Sequence, residues 1–345
     1  MLYATTRDKH DVVTAHKAAH TDCYSDGGLF VPFRMPLLPK EQLEALSLAA
    51  PEQILADVLN LFFSCGLTAA DVEQILGRRP IRPTSIGRHL WMAELWIGAG
   101  KDVDAVVQRI NDHICADQKG SAPTNWMHVA VRIALLFAVY GNLLSRGQLR
   151  PHSAFDVAVT AGDFATPMAV WYGRQMGLPV GNIICGCNSN GGFWDLLNRG
   201  EFSTRNVPMK TATPLVDIVV PRNLERLICG ILGEEANAHY LQCCNAGRTY
   251  TIAGDDLKRI SAGIFAAVIS DSRMATIIPG VFRTRQYVLS PYAALAYGSL
   301  QDYRAMTGHT RPAILLSERS PMLDRQLVCQ LLHKNEMELS ALVGR

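Results

Sequence analysis

The chain has 345 residues, of which 48% are hydrophobic and 19% charged, enough apolar material for a large core. Its formal net charge is +2, from 33 basic and 31 acidic side chains, which excludes binding to nucleic acid or membrane surface through bulk electrostatics. The nine cysteines follow no framework spacing and read as reduced, mostly buried thiols rather than disulfides or a zinc site.

The opening "MLYATTRDKHD" is charged and lacks the apolar stretch of a secretory signal. The longest apolar run, "IALLFAVYGNLL" at 133–144, is shorter than the roughly 20 residues of a membrane span. A cytoplasmic protein is expected, with neither nucleic acid nor membrane as partner. His10, His16 and His20 recur near the start without a neighbouring carboxylate pair. They read as surface polar residues, and no metal site is expected.

Residues 41–63 carry the helical period, with Pro51 at the first turn of a second helix. Thr68 and Asp71 have capping-box spacing at the head of "LTAADVEQIL", with Asp in place of the usual Glu. The prolines and glycines of "GRRPIRPTSIG" (77–87) mark a loop. After Lys101, "DVDAVVQRINDHI" predicts an amphipathic helix, and "TNWMHVAVRIALLFAVYGNLL" a long, largely buried one.

From residue 155 the pattern becomes strand, turn, helix, strand. "FDVAVTAGD" predicts a strand, "TPMAVWYGRQMG" a helix closed by Gly177, and "NIICGCN" the next strand. "LVDIVVP", "YVLSP" and "AILLSE" are further strand candidates around the helix "NLERLICGIL". This alternation gives an α/β class, a twisted, mostly parallel sheet with helices on both faces. One domain over residues 1–345 is expected, mainly helical over 1–120 and sheet-containing over 121–345. Ligands of such sheets bind at the carboxyl ends of the strands, where "TAGDFATP" and "CGCNSNGG" lie.

Several segments, in one order, resemble the threonine synthases, pyridoxal-phosphate enzymes of fold type II (the tryptophan-synthase-β type). They are "YATTRD", "YSDGGLFVPFRMP", "SAPTNWMHVAVRIALLFAVYGNL", "TAGDFATPMAVWYGRQMGLPVGNIICGCNSNGGFWDLLNRGEF", "TATPLVDIVVPRNLERLI" and "VLSPYAALAYGSL". The resemblance runs from the first residues to about residue 321 and implies the large domain of that fold. The family's SGDTGSA-type loop has no counterpart between "INDHICADQKG" and "SAPTNW", so the second lobe is expected to be largely missing.

The resemblance aligns Lys101 of "ELWIGAGKD" with the cofactor-carrying lysine. The segment is shorter than the family's ELFHGPTLAFKD, so the residues favour Lys101 as a polar residue near a helix start. Gly162, Asp163, Phe164, Ala165 and Thr166 align with the phosphate turn, where Asp163 replaces an asparagine and Ala165 a glycine. Glu318 aligns with the threonine that meets the pyridine nitrogen, or is simply a polar residue after a strand.

These departures lead to an expectation of a degenerate threonine-synthase-like protein without pyridoxal-phosphate catalysis and with no cofactor. It would bind a protein partner or a small anionic ligand, the anion at the helix start near Thr166. Two alternatives stand beside it. One is a pyridoxal-phosphate-dependent lyase that uses Lys101 to turn O-phosphohomoserine into threonine. The other is a regulatory subunit of an intact threonine synthase. The vacated cleft is expected to be filled by side chains from residues 88–115, Trp91 and Trp96 among them, or covered by a homodimer interface. Either would leave no room for the cofactor beside Lys101.

Overall fold

The segment "FDVAVT" is buried at all six positions, the pattern of a strand covered on both faces rather than wetted on one. The computed structural model, which describes residues 1–77, 81, 83–96 and 102–344, builds the fold around it. In chain order, the N-terminal part forms β1 (Leu2–Thr5), β2 (Val13–Thr14), α1 (Ala15–His20), β3 (Phe30–Pro32) and α2 (Lys40–Ala45). It continues through α3 (Pro51–Phe63), α4 (Ala69–Leu76), β4 (Thr84–Gly87), β5 (Leu90–Glu94) and α5 (Val103–Ile114). Next come α6 (Asn125–Ser145), β6 (Phe155–Thr160), α7 (Ala165–Gln175), β7 (Val180–Cys187), α8 (Gly192–Arg199) and β8 (Glu201–Ser203). They are followed by α9 (Leu224–Leu232), α10 (Glu234–Asn245), β9 (Thr249–Thr251), α11 (Gly254–Ser261), β10 (Ile264–Val268) and α12 (Asp271–Arg285). The chain closes with α13 (Pro291–Thr307), β11 (Ala313–Ser317), α14 (Arg325–Leu332) and α15 (Glu336–Val343).

The main sheet has six strands in the order β10-β7-β6-β11-β5-β4. All neighbours are parallel except β4, which closes the edge antiparallel to β5. Alternate residues serve opposite layers, as the period of two requires. Val157 and Val159 join the core beneath α6 and α7, whereas Ala158 joins the one beneath α12 and α13. This is the mixed α/β architecture, a parallel sheet flanked by helices, of fold type II pyridoxal-phosphate enzymes. A three-stranded sheet (β2-β1-β3) and the β8–β9 ribbon lie apart from it.

Helix α6 has 21 residues and is apolar enough to suit a bilayer, yet most of it is buried within the protein. Thr124 starts it by accepting the Met127 N–H, and Trp126 donates to the Tyr3 hydroxyl at 2.9 Å. Tyr3 in turn donates to the Phe62 carbonyl at 3.0 Å, so one chain of bonds ties β1, α3 and α6 together.

Three readings change. "LVDIVVP" is not a strand but a 3-10 turn, Pro214–Val216, followed by irregular chain. "YVLSP" leads into α13, which Ser290 caps by accepting the Ala293 N–H. The stretch read as a loop over 77–87 ends in β4, which with β5 joins the main sheet. From α5 to α6 the chain needs only residues 115–124 and the 3-10 turn Ala116–Gln118. Among the described residues there is no second parallel sheet. The cysteines are all free, and burial pushes the Cys187 thiol up to about 12, which keeps it protonated and inert.

Strand β7 presses against α13 at Gly186, where an added Cβ would lie 2.5–2.7 Å from the Leu295 and Ala296 backbone. Gly186→Ala is expected to cost about 1–3 kcal/mol of stability by overpacking. Gly280→Ala, at a helical position with nothing within 4 Å, should instead add about 0.5–1 kcal/mol. Chemical denaturation of the two variants checks this; equal stability of Gly186→Ala and the parent chain would refute the close approach.

Candidate functional site

The turn between β6 and α7 carries the sequence "TAGDFAT". Gly162 (φ 48) and Phe164 (φ 73) both adopt the left-handed conformation that bends the strand into the helix. Phe164 tolerates it because its ring is buried edge-on against Phe193, with centroids 4.5 Å apart. Asp163 turns its carboxylate back on the turn. Its Oδ1 accepts the Ala165 N–H at 2.9 Å, and Asn223 donates its side-chain amide to Oδ2 at 3.3 Å. The first open N–H of α7 is therefore already bonded, and Pro167 has none to offer.

Thr166 directs its hydroxyl elsewhere, donating to Glu318 Oε1. That carboxylate also accepts from Arg132 Nε at 2.9 Å. Arg132 comes from the middle of α6, its side chain only 7% exposed, and donates further to Asp104 Oδ1 at 3.0 Å. His128 Nδ1 lies 3.2 Å from the same Asp104 oxygen. Burial works against the charge on Arg132, but Glu318, Asp104 and Asp163 outweigh it and hold the guanidinium above its ordinary pKa. Asp104 is held well below the usual carboxylate range, chiefly by its bond to His128, against the opposing effect of burial and with help from Arg132.

Above this network lies a cavity of about 460 Å³, within the range of small-molecule sites. Thr160, Gly162, Asp163, His128, Arg132 and Glu318 line it, with Asp102, Asp104, Arg319 and Tyr292 beside them. The described residues of 88–115 do not fill the cleft. "LWMAE" is a strand, so the Trp91 ring is buried in the core. Trp96 is buried too, its indole N–H 3.4 Å from Ser317 Oγ. Lys101 and residues 97–100 lie outside the described residues. Its neighbour Asp102 caps α5 by accepting the Ala105 N–H at 3.0 Å, and the Val103 N–H bonds the Glu318 carbonyl at 2.8 Å.

The donor set does not fit a cofactor phosphate. Among the described residues, five carboxylates line the cavity (Asp22, Asp102, Asp104, Asp163, Glu318) against three arginines, and each arginine already faces one of them. Arg132 holds Glu318, Arg222 meets Asp22 at 2.6 Å, and Arg319 lies 3.8 Å from Asp102. A dianion brought to the α7 terminus would meet two like charges, the partly buried Glu318 and the exposed Asp163.

Of the residues singled out in the sequence, Gly162, Asp163 and Glu318 line the cavity, while Phe164, Ala165 and Thr166 are buried in the turn below. Arg132, Asp104 and His128 escaped the sequence reading. A signal was present for one of them: Arg132 is the lone charge inside "HVAVRIALLFAV", and a charge in a buried helix demands partners.

Residues 2–78 match the family described as "Threonine synthase N terminus". Human threonine synthase-like 1 is 23% identical over 175 residues, which cover 50% of this chain and 24% of that protein. Threonine synthase of Pseudomonas aeruginosa is 25% identical over 185 residues, covering 52% of this chain and 38% of that one. The chain therefore spans well under half the length of these curated relatives. A pyridoxal-phosphate-bound threonine synthase from Brucella melitensis superposes with a TM-score of 0.83 at 18% identity, covering 100% of both chains. The yeast threonine synthase gives 0.82 at 14% identity, over 99% of this chain and 93% of that one. The chain is homologous to the threonine synthases and shares their fold.

Because the Asp104 carboxyl is depressed in the folded state, its stabilising contribution is complete above about pH 4. That contribution is lost as the pH falls below this value toward the lower folded pKa. Asp104 is open to water, so the effect should reach at most about 1 kcal/mol. Denaturation curves between pH 6 and pH 3 should show a shallower acid loss in Asp104→Asn than in the parent; parallel curves would contradict the assignment.

Proposed function

We propose that this chain is a threonine-synthase-like protein that has given up pyridoxal-phosphate catalysis and works by binding a small molecule in the cleft. One observation carries the reading. The Glu318 carboxylate, held by Thr166 and Arg132, sits where an anionic group would have to bind at the start of α7. A protein carboxylate thus already lies beside the positive end of the helix that a phosphate would approach. The ligand class follows from the remaining charges. Among the described residues the cavity carries two more carboxylates than arginines, which favours a ligand with an ammonium group over the small anion that the sequence suggests near Thr166.

A second reading, a lyase using Lys101, draws on a different observation. Asp102, the residue after Lys101, lines the same cavity as Gly162 and Glu318.

Incubation of the purified protein with pyridoxal phosphate separates the two. The expected absorption spectrum is that of the free cofactor, with no borohydride-stable adduct on any lysine. A lysine-bound band trapped on Lys101 and abolished by Lys101→Ala would overturn the first reading and establish the second. In a companion measurement, the Asp163→Asn/Glu318→Gln double variant should bind inorganic phosphate at least about tenfold more tightly than the parent, since two opposing charges are gone. Unchanged phosphate affinity by calorimetry would mean that Glu318 does not occupy the anion seat.

A further inference from the structure

We propose that His16, His20 and Asp117 form a binding site for a divalent transition metal of the zinc or nickel class, clamping α1 to the α5–α6 connection. The three side chains offer two imidazole nitrogens and one carboxylate oxygen, all within 4.8 Å of one another. His16 and His20 stand four residues apart on one helix and stack with ring centroids 3.9 Å apart at 15°. Asp117 arrives from the 3-10 turn that bridges α5 and α6, 97 residues farther along. That separation hid the third ligand from the sequence, in which no metal site is expected.

The hydrogen bonding of His20 points to a cation. Its Nδ1 lies 2.8 Å from the His16 carbonyl, and its Nε2 lies 2.9 Å from Asp117 Oδ1. Both ring nitrogens thus face acceptors, while a neutral imidazole carries one N–H. In the neutral ring, a hydrogen on Nδ1 serves the carbonyl and leaves the Nε2 lone pair toward the carboxylate. This is the arrangement in which metal-ligating histidines are held, one nitrogen donating to a backbone carbonyl and the other on the metal. A cation between Nε2 and Oδ1 relieves the opposed lone pairs.

The surroundings hold the two segments in place before any metal arrives. Thr124 Oγ1 donates to the Ala18 carbonyl at 3.1 Å, and Cys115 Sγ to that of Ala19 at 3.7 Å. His16 and Asp117 are exposed, so their side chains are free to close to the bond lengths of about 2.0–2.2 Å that zinc requires. Two imidazoles and one carboxylate suit zinc, nickel or copper rather than magnesium or calcium, which require a shell of oxygens. Three protein ligands leave a fourth position for water. His10 takes no part; its backbone N–H bonds Asp8 instead.

The test titrates metal-free, reduced protein with Zn²⁺ by calorimetry and with Co²⁺ by absorption. One equivalent should bind, the cobalt spectrum should show only nitrogen and oxygen ligation, and zinc should raise the melting temperature. His16→Gln and Asp117→Asn, both at exposed positions, should each weaken binding at least tenfold and abolish the zinc-dependent rise, with melting in chelator unchanged. Undiminished binding in both variants would overturn the proposal. So would a cobalt spectrum with thiolate charge-transfer bands, which would place the metal on cysteine.

Discussion

Arg132 is the constraint around which the cleft is organised. A guanidinium in the middle of an apolar helix cannot stay buried without partners, because an unpaired charge there would cost several kcal/mol. Its partners come from three directions: Glu318 at the end of β11, Asp104 on the first turn of α5, and the Thr166 hydroxyl on α7, 3.1 Å from Arg132 Nε. One buried side chain thereby sets how α5, α7 and the exit of β11 approach α6. The Val103 to Glu318 backbone bond and the Asp102–Arg319 bridge repeat the same docking along the chain.

The arrangement also decides what the cleft can accept. At the carboxyl edge of a parallel sheet, helix N-termini normally offer unsatisfied N–H groups to an anion. Here Asp163 of the turn accepts the Ala165 N–H, and Glu318, arriving from the end of β11, accepts the Thr166 hydroxyl beside it. Anionic side chains near a helix N-terminus are stabilising, so Asp163 and Glu318 help hold the turn in place.

Much of the sheet was legible because its strands obey the simplest pattern. "FDVAVT", "NIICGC" and "AILLS" are short, apolar and bounded by turns, and they form β6, β7 and β11. Pro51 at the first turn of α3 and the Thr68–Asp71 capping box are local signals that tertiary packing leaves unchanged. "LVDIVVP" carries the same apolar signal, yet Asp217 inside it receives bonds from Thr211, Asn188 and Asn190, which hold the segment as a loop. "LWMAE" was read as material to cover the cleft because its pairing with β11 is set some 220 residues away. From the residues alone the site was legible where the chain is contiguous, and the resemblance added Glu318. Gly162 to Thr166 form one turn, whereas the links from Arg132 to Asp104 and Glu318 exist only once α5, α6 and β11 are assembled.

The short α5–α6 connection gives the last physical consequence. The connection lies against the N-terminal segment, where α1 packs through its Ala18 and Ala19 carbonyls. A chain that crosses in ten residues, 115–124, cannot build a layer of its own above the strand ends. The cleft must then be walled by what is already there: Asp22 from the segment after α1, Asn125 and His128 from α6, and Arg222 from the loop before α9. Asp22 joins these walls, accepting the Asn125 N–H at 2.7 Å and pairing with Arg222 at 2.6 Å. These polar bridges leave the cavity open between them, because side chains reaching from three separate segments can frame a cleft but carry too little apolar volume to fill it.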